Sequence, residues 1–159
     1  MTYADRNKYL EYLVEEYSDM VYRLALSRTR HKEEAEDVYQ EVFLRIARKT
    51  PEFENTIHEK AWFIKVTINC SKNAIKSMFK ETSICSDVGF DLNEGKHDVY
   101  YEVLKLPLKY RTVIHLFYYE GYKIEEISKM LDVKGNTVKS QLARAREKLK
   151  MGLEWEEGK

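Results

Sequence analysis

The sequence predicts an all-α protein built as two small helical domains. Its 159 residues include only two prolines and six glycines, and charged residues reach 34%. Apolar residues recur at the three-and-four spacing of helices almost throughout, rather than in the alternation of strands. This length suits one domain or two small ones with modest cores, and an aperiodic acidic stretch between periodic segments favours two. No run approaches the roughly 20 apolar residues of a membrane span. The N-terminus MTYADRNKYLEY also lacks the apolar segment of a secretory signal, so a cytoplasmic protein with no membrane contact of its own is expected. Cys70 and Cys85 have neither CxxC spacing nor a histidine cluster, which disfavours a zinc site or a disulfide. Cys70 reads as core and Cys85 as connector.

The first domain, residues 1–80, is expected to hold three or four helices between about Tyr9 and Phe79. The run His31 to Lys49 puts acids in its first turn and cations in its last, matching the helix macrodipole. Ala35, Val38, Val42 and Ile46 form one apolar stripe, leaving Glu36, Asp37, Gln40, Glu41 and Arg45 exposed. Such an acidic face is either solvated or able to receive a basic partner helix. Thr50 and Pro51 end this helix, and PEFENTIHEK reads as a polar loop before a helix from Ala61 to Phe79. At 100° per residue, Lys65, Asn69, Lys72, Asn73, Lys76 and Lys80 share one arc. Trp62 either projects into that arc or is tucked into the core. An aromatic ring beside lysines and amides suits single-stranded nucleic acid, which needs a stacking platform along a basic track.

Residues 81–98 read as a flexible acidic connector: Glu81 to Lys96 is rich in Ser, Asp and Gly and lacks periodicity. The second domain, residues 99–159, should hold three or four helices from about Val99 to Leu153. Pro107 suits the first turn of a helix running to about Tyr119, with Gly121 as its terminator and Val113, Ile114, Phe117 and Tyr118 buried. Tyr122 to Lys150 then reads as two helices and a tight turn. Ile124, Ile127 and Leu131 line the first. Gly135 and Asn136 mark the turn, being tolerant of positive φ or suited to capping. Val138, Leu142, Ala145 and Leu149 form a narrow seam on the second. The outer surface of that second helix carries Lys139, Arg144, Arg146, Lys148 and Lys150 against Glu147 alone. Thr137, Lys139, Ser140, Gln141 and Arg144 occupy its N-terminal half, the part of a recognition helix that reaches base edges.

The formal net charge is zero, but its distribution is uneven. Residues 121–150 carry eight basic side chains against four acids, and residues 51–80 five lysines against three glutamates. Two basic segments flank an acidic one, the pattern expected of a nucleic-acid binder whose net charge averages over separate regions. The four histidines, His31, His58, His97 and His115, are scattered, and no glycine-rich phosphate loop is present. No enzyme, cofactor or metal site is expected. A helix-turn-helix repressor or activator with a ligand-binding or dimerising first domain remains open on these grounds, as does a protein that occupies a partner without reading DNA.

AEDVYQEVFLRIAR (35–48), AWFIKVTINCSKNAIK (61–76) and VLKLPLKYRTVIHLFYYEGYKIEEISKMLDVKGNTVKSQLARAREKLK (103–150) together resemble the extracytoplasmic-function group of bacterial sigma-70 factors. The resemblance spans about Tyr9 to Lys150. It implies that the first domain is sigma region 2 and the second sigma region 4. Together they would bind core RNA polymerase, recognise minus-10 and minus-35 promoter elements, and direct initiation with promoter opening. It further implies that Glu36, Asp37, Gln40, Glu41 and Arg45 dock on the β′ coiled coil, with region 4 on the β flap. The loop from Lys49 to Lys60 and the helix after it would seize a flipped base and its neighbours in the minus-10 strand, with Trp62, Lys65, Asn69, Lys72, Asn73 and Lys76 along it. Lys139, Ser140 and Arg144 would read the minus-35 element beside Thr137 and Gln141, with Arg146 and Lys148 on phosphates. Lys134, Gly135-Asn136 and Gln141 depart from the common pattern at the turn and on the reading face. A dedicated anti-sigma factor is the other partner implied.

Overall fold

The computed structural model describes residues 2–82 and 99–157, with side chains through residue 79 of the third helix and residue 152 of the last. The chain divides into two units, Met1–Phe90 and Asp91–Lys159. All regular structure among the described residues is helical. Most of the expected connector, with Cys85 and His97, lies outside the described residues, as does the side chain of Lys80.

In the first unit, α1 (Tyr3–Thr29), α2 (Lys32–Arg48) and α3 (Thr56–Thr82) each pack on the other two. Helix α1 starts well before Tyr9 because Thr2 and Asp5 form a capping box. The Thr2 hydroxyl accepts the Asp5 N–H at 3.1 Å, and the Asp5 carboxylate accepts the Thr2 N–H at 3.2 Å. It ends at Arg30, whose left-handed backbone (φ 63°) returns its N–H to the Leu26 carbonyl at 2.8 Å. The stripe Ala35, Val38, Val42 and Ile46 of α2 is fully buried. Past its last turn, the Thr50 hydroxyl donates to the Ile46 carbonyl at 2.8 Å, and Pro51 comes next.

The loop before α3 is shorter than PEFENTIHEK suggests. Asn55 caps the helix, its side-chain oxygen accepting the His58 N–H at 2.9 Å, so helical structure begins at Thr56 instead of Ala61. At the far end α3 continues to Thr82. Leu13, Leu24, Val42, Ile46, Phe63 and Ile64 form the centre of the core, with Cys70 buried as a free thiol. Each fully buried aliphatic or aromatic side chain stabilises the unit by about 1.5–3 kcal/mol relative to exposure. Arg28 is buried as well; its Nε donates to the Ser71 hydroxyl, and burial pushes the guanidinium down to about 10.

In the second unit, α4 (Val99–Lys105) precedes α5 (Leu108–Ile114), which starts just after Pro107 and continues into a single π-helical turn, His115–Tyr119. A π turn inserts an extra residue and so rotates the side chains beyond it onto another face. His115 and Leu116 consequently take the inward positions. Phe117 is only half-buried and Tyr118 is 54% exposed, contrary to the burial expected of both. Gly121, at φ 75°, then reverses the chain as expected, and the Tyr122 N–H reaches back to the Leu116 carbonyl at 2.9 Å.

Helices α6 (Ile124–Leu131) and α7 (Gly135–Glu157) form the helix-turn-helix. The left-handed position of the turn falls on Asp132 (φ 56°), not on Gly135 or Asn136. The reason is register: the left-handed residue must directly succeed the last helical one, Leu131, and a short aspartate tolerates that conformation. Gly135 instead opens α7. Ile127, Val138, Leu142 and Ala145 are buried where the helices meet, while Ile124, Leu131 and Leu149 are half-buried.

Candidate nucleic-acid interface

Helix α7 presents Thr137, Lys139, Ser140, Arg144, Arg146 and Lys148 to solvent. These positions are exposed because the seam Val138, Leu142, Ala145 takes the buried arc of the helix among its described side chains. Gln141 is different: it is half-buried, and its amide oxygen is enclosed without a hydrogen-bond partner, leaving the NH2 as its usable group.

Two of the cations lie beside aromatic side chains of the same unit. The proximity of Arg144 to the hydroxyl of Tyr110 on α5, aided by Lys109 and Lys148 as nearby charges, lowers the phenol from its ordinary value. Lys109 lies over the Tyr110 ring with its Nζ 5.1 Å from the centroid. Helix α5 therefore adds Lys109 and Tyr110 to the edge of the basic face. Sequence reasoning passed over this pair, whose only signal was a lysine and a tyrosine just after Pro107. Arg146 donates through Nε to the Tyr118 hydroxyl at 2.6 Å, with its guanidinium 5.5 Å from the Tyr118 ring centroid and 5.6 Å from that of Phe117. The π turn that leaves Tyr118 exposed is thus what brings its hydroxyl to Arg146. Both border an open groove of about 430 Å³ lined also by Val99, Val103, Ile114 and Leu149.

On the first unit, Lys65, Asn69, Lys72, Asn73 and Lys76 are all exposed on one side of α3. Successive positions four or seven apart return to the same face, so the basic arc is continuous along about three turns. Trp62 meets neither extreme expected of it. It is half-buried, with its ring edge-on to Phe63 (5.0 Å, 85°) and to Phe53 of the preceding loop (6.0 Å, 66°). Such edge contacts fix a ring's orientation while leaving part of it accessible.

On α2, Glu36, Asp37 and Gln40 are exposed, and Glu41 accepts from Arg45 Nε at 3.1 Å. That exposed pair contributes only about 0.3–0.5 kcal/mol, so the acidic face owes little to intrahelical pairing. Among the described residues no group of three or more His, Cys, Asp or Glu side chains is placed to hold a metal ion, and no helix is long and apolar enough to cross a membrane.

Comparison with known proteins falls on both units in order. Residues 13–78 match the family described as Sigma-70 region 2, and residues 97–149 match Sigma-70, region 4. RNA polymerase sigma factor SigV of Bacillus subtilis (strain 168) is 30% identical over 139 residues, covering 83% of this chain and 83% of that protein. ECF RNA polymerase sigma factor SigM of the same organism is 31% identical over 145 residues, covering 84% and 88%. In fold, the chain is similar to the sigma factor RpoE from Bartonella quintana, solved in complex with the anti-sigma factor NepR. That likeness has a TM-score of 0.72 at 19% identity and covers 94% of this chain and 97% of the other. CnrH, solved with the cytosolic domain of CnrY, gives a TM-score of 0.67, also at 19% identity, over 93% and 89%.

Proposed function

This chain belongs to the extracytoplasmic-function group of sigma-70 factors, and from that premise we propose how its two units share the work of promoter recognition. Transcription initiation by a sigma factor requires no covalent chemistry from the factor itself; it needs surfaces that bind polymerase and DNA. The unit of α4–α7 takes the minus-35 element in duplex form. Lys139, Ser140 and Arg144 reach base edges, with Thr137 and Gln141 alongside, while Arg146, Lys148 and Lys109 contact phosphates. The unit of α1–α3 takes the opened minus-10 strand, with Trp62 as the stacking platform and Lys65, Asn69, Lys72, Asn73 and Lys76 along the backbone. The acidic face of α2, with Glu36, Asp37, Gln40, Glu41 and Arg45, docks on the β′ coiled coil of core RNA polymerase, and the second unit on the β flap. The domain division is residues 1–80, 81–98 and 99–159. An anti-sigma factor, the kind of partner named for the RpoE structure, restrains the protein until it is needed.

The observation that carries this reading is the placement of two separate exposed basic faces. One bears a half-buried tryptophan and lies on the unit matching region 2; the other lies on the helix-turn-helix matching region 4. The test is run-off transcription with purified protein and core polymerase on fragmented genomic DNA of the source bacterium. Discrete start sites that require this chain are expected. No initiation above core enzyme alone, on any fragment, would overturn the reading.

A further inference from the structure

Glu59 sits in the first turn of α3 and is only 6% exposed. A buried carboxylate is costly unless hydrogen bonds satisfy its oxygens. Here three tyrosines of α1 do so: Tyr17 at 2.6 Å and Tyr12 at 3.2 Å donate to Oε1, and Tyr9 donates to Oε2 at 2.9 Å. The early helix position adds favourable N–H dipoles to the negative charge. Burial first, and the hydrogen bond to Glu59 second, raise the phenols of Tyr17 and Tyr9, the latter to about 12. The hydroxyls therefore stay protonated and able to donate at any pH of growth.

An apolar cluster would join α1 to α3 at lower cost than a buried charge. What the carboxylate adds is direction, since three donors converging from one helix fix the rotation of the other. The groups that this rotation governs are adjacent. Tyr17 stacks on Phe63 at 4.4 Å and 20°, and Phe63 in turn meets the edge of Trp62. We infer that Glu59, with Tyr9 and Tyr17, is a positioning device for Trp62, setting the angle at which the indole meets the melted promoter strand. This rests on the strand-capturing role proposed for α3. Glu59 itself touches no DNA; it acts through the start of α3 and the chain of aromatic contacts from Tyr17 to Trp62.

The test uses holoenzyme and two probes made from a promoter mapped by run-off transcription: a fully paired duplex, and a fork whose non-template minus-10 strand is unpaired. Glu59→Ala should weaken fork binding about tenfold, because the start of α3 loses the acceptor that fixes its rotation. Affinity for core polymerase, and for the duplex at low temperature where its strands stay closed, should stay within about twofold. Glu59→Gln should restore fork binding, because its oxygen still accepts from Tyr12 and Tyr17 while its N–H donates to Tyr9. A Tyr9→Phe, Tyr17→Phe variant keeps both rings, guards against gross misfolding, and should fall between. In free protein carrying Trp155→Phe, Trp62 emission should shift to the red in Glu59→Ala and not in Glu59→Gln.

Trp62→Ala separates this inference from the reading beneath it. Fork binding sensitive to Trp62→Ala yet indifferent to Glu59→Ala and the double tyrosine variant overturns the positioning role alone. Fork binding indifferent to Trp62→Ala overturns the strand-capturing role and the positioning role with it. Equal losses on fork, duplex and core polymerase in Glu59→Ala would reduce Glu59 to a general stabiliser, and would also overturn the inference.

Discussion

If Arg144 reads a base edge as proposed, its neighbour Tyr110 helps prepare it. The guanidinium is exposed and lies near a phenol on the neighbouring helix whose titration it lowers, so crowding by that ring limits the rotamers it must give up on binding. Arg144→Ala should weaken minus-35 recognition by roughly 1–3 kcal/mol, and Tyr110→Phe by about 0.5–1 kcal/mol, since it frees the arginine without removing it. Titrating holoenzyme with duplex promoters altered at single minus-35 positions checks both: Arg144→Ala should also flatten the preference at one position. If the preference stays intact, Arg144 binds phosphate and reads no base. Tyr9 permits a different test. Its hydroxyl, near 10 in an unfolded chain, is raised to about 12 in the folded one by burial and then by Glu59. A raised value favours folding while the group is protonated, so the contribution is whole below pH 10 and disappears as pH climbs toward 12. Chemical denaturation between pH 9 and 11.5 should show stability falling along that interval, less steeply in Tyr9→Phe. Equal slopes in the two proteins would rule the contribution out.

At the scale of the helix, periodicity exposed most of what matters. The stripe of α2, the seam of α7 and the lysine arc of α3 each arise from 100° steps along the sequence, and each is buried or exposed accordingly. What periodicity cannot show is a local hydrogen bond that shifts an end or a face. The Thr2–Asp5 box lengthened α1, Asn55 moved the start of α3 to Thr56, and Asp132 took the left-handed position of the turn. The π turn in HLFYY redirected Phe117 and Tyr118, and nothing in side-chain spacing signals an i to i+5 bond. Glu59 was hidden for a related reason: its three partners lie more than forty residues away in the sequence, and spacing along one helix cannot show which hydroxyls of another converge on it. Because the acidic face of α2 is exposed and lightly paired, its charges can be reversed cheaply. Glu36→Lys with Asp37→Lys should change unfolding free energy by no more than about 0.5 kcal/mol per site. It should nevertheless weaken core polymerase binding at least about tenfold in a fluorescence anisotropy titration, by placing like charges against the partner helix. Retained affinity would move the polymerase contact off α2.

For the molecule as a whole, a net charge of zero conceals two cationic faces carried by separate compact units. In the proposed division of labour each face meets DNA in a different state, paired at one element and unpaired at the other, so their contributions can be weighed separately. On that proposal Arg144→Ala should remove a contact to duplex, and Trp62→Ala should remove stacking on the opened strand, about 1–3 kcal/mol by analogy with other aromatic platforms. Residues in different units, with no shared hydrogen bond or ring contact among those described, should act independently. Losses at such sites add to within about 0.3–0.5 kcal/mol. On a fork carrying both elements, the double variant should therefore lose the sum of the two single losses. On a fully paired promoter at low temperature, where the strands stay closed, Trp62→Ala should cost nothing and the double variant should match Arg144→Ala. Rates should divide the same way: Arg144→Ala slows association, whereas Trp62→Ala leaves association alone and slows the later rise in permanganate reactivity of minus-10 thymines. A coupling larger than about 1 kcal/mol on the fork would mean that engagement at one element changes how the other is held, and the two units would then have to be treated as one binding body.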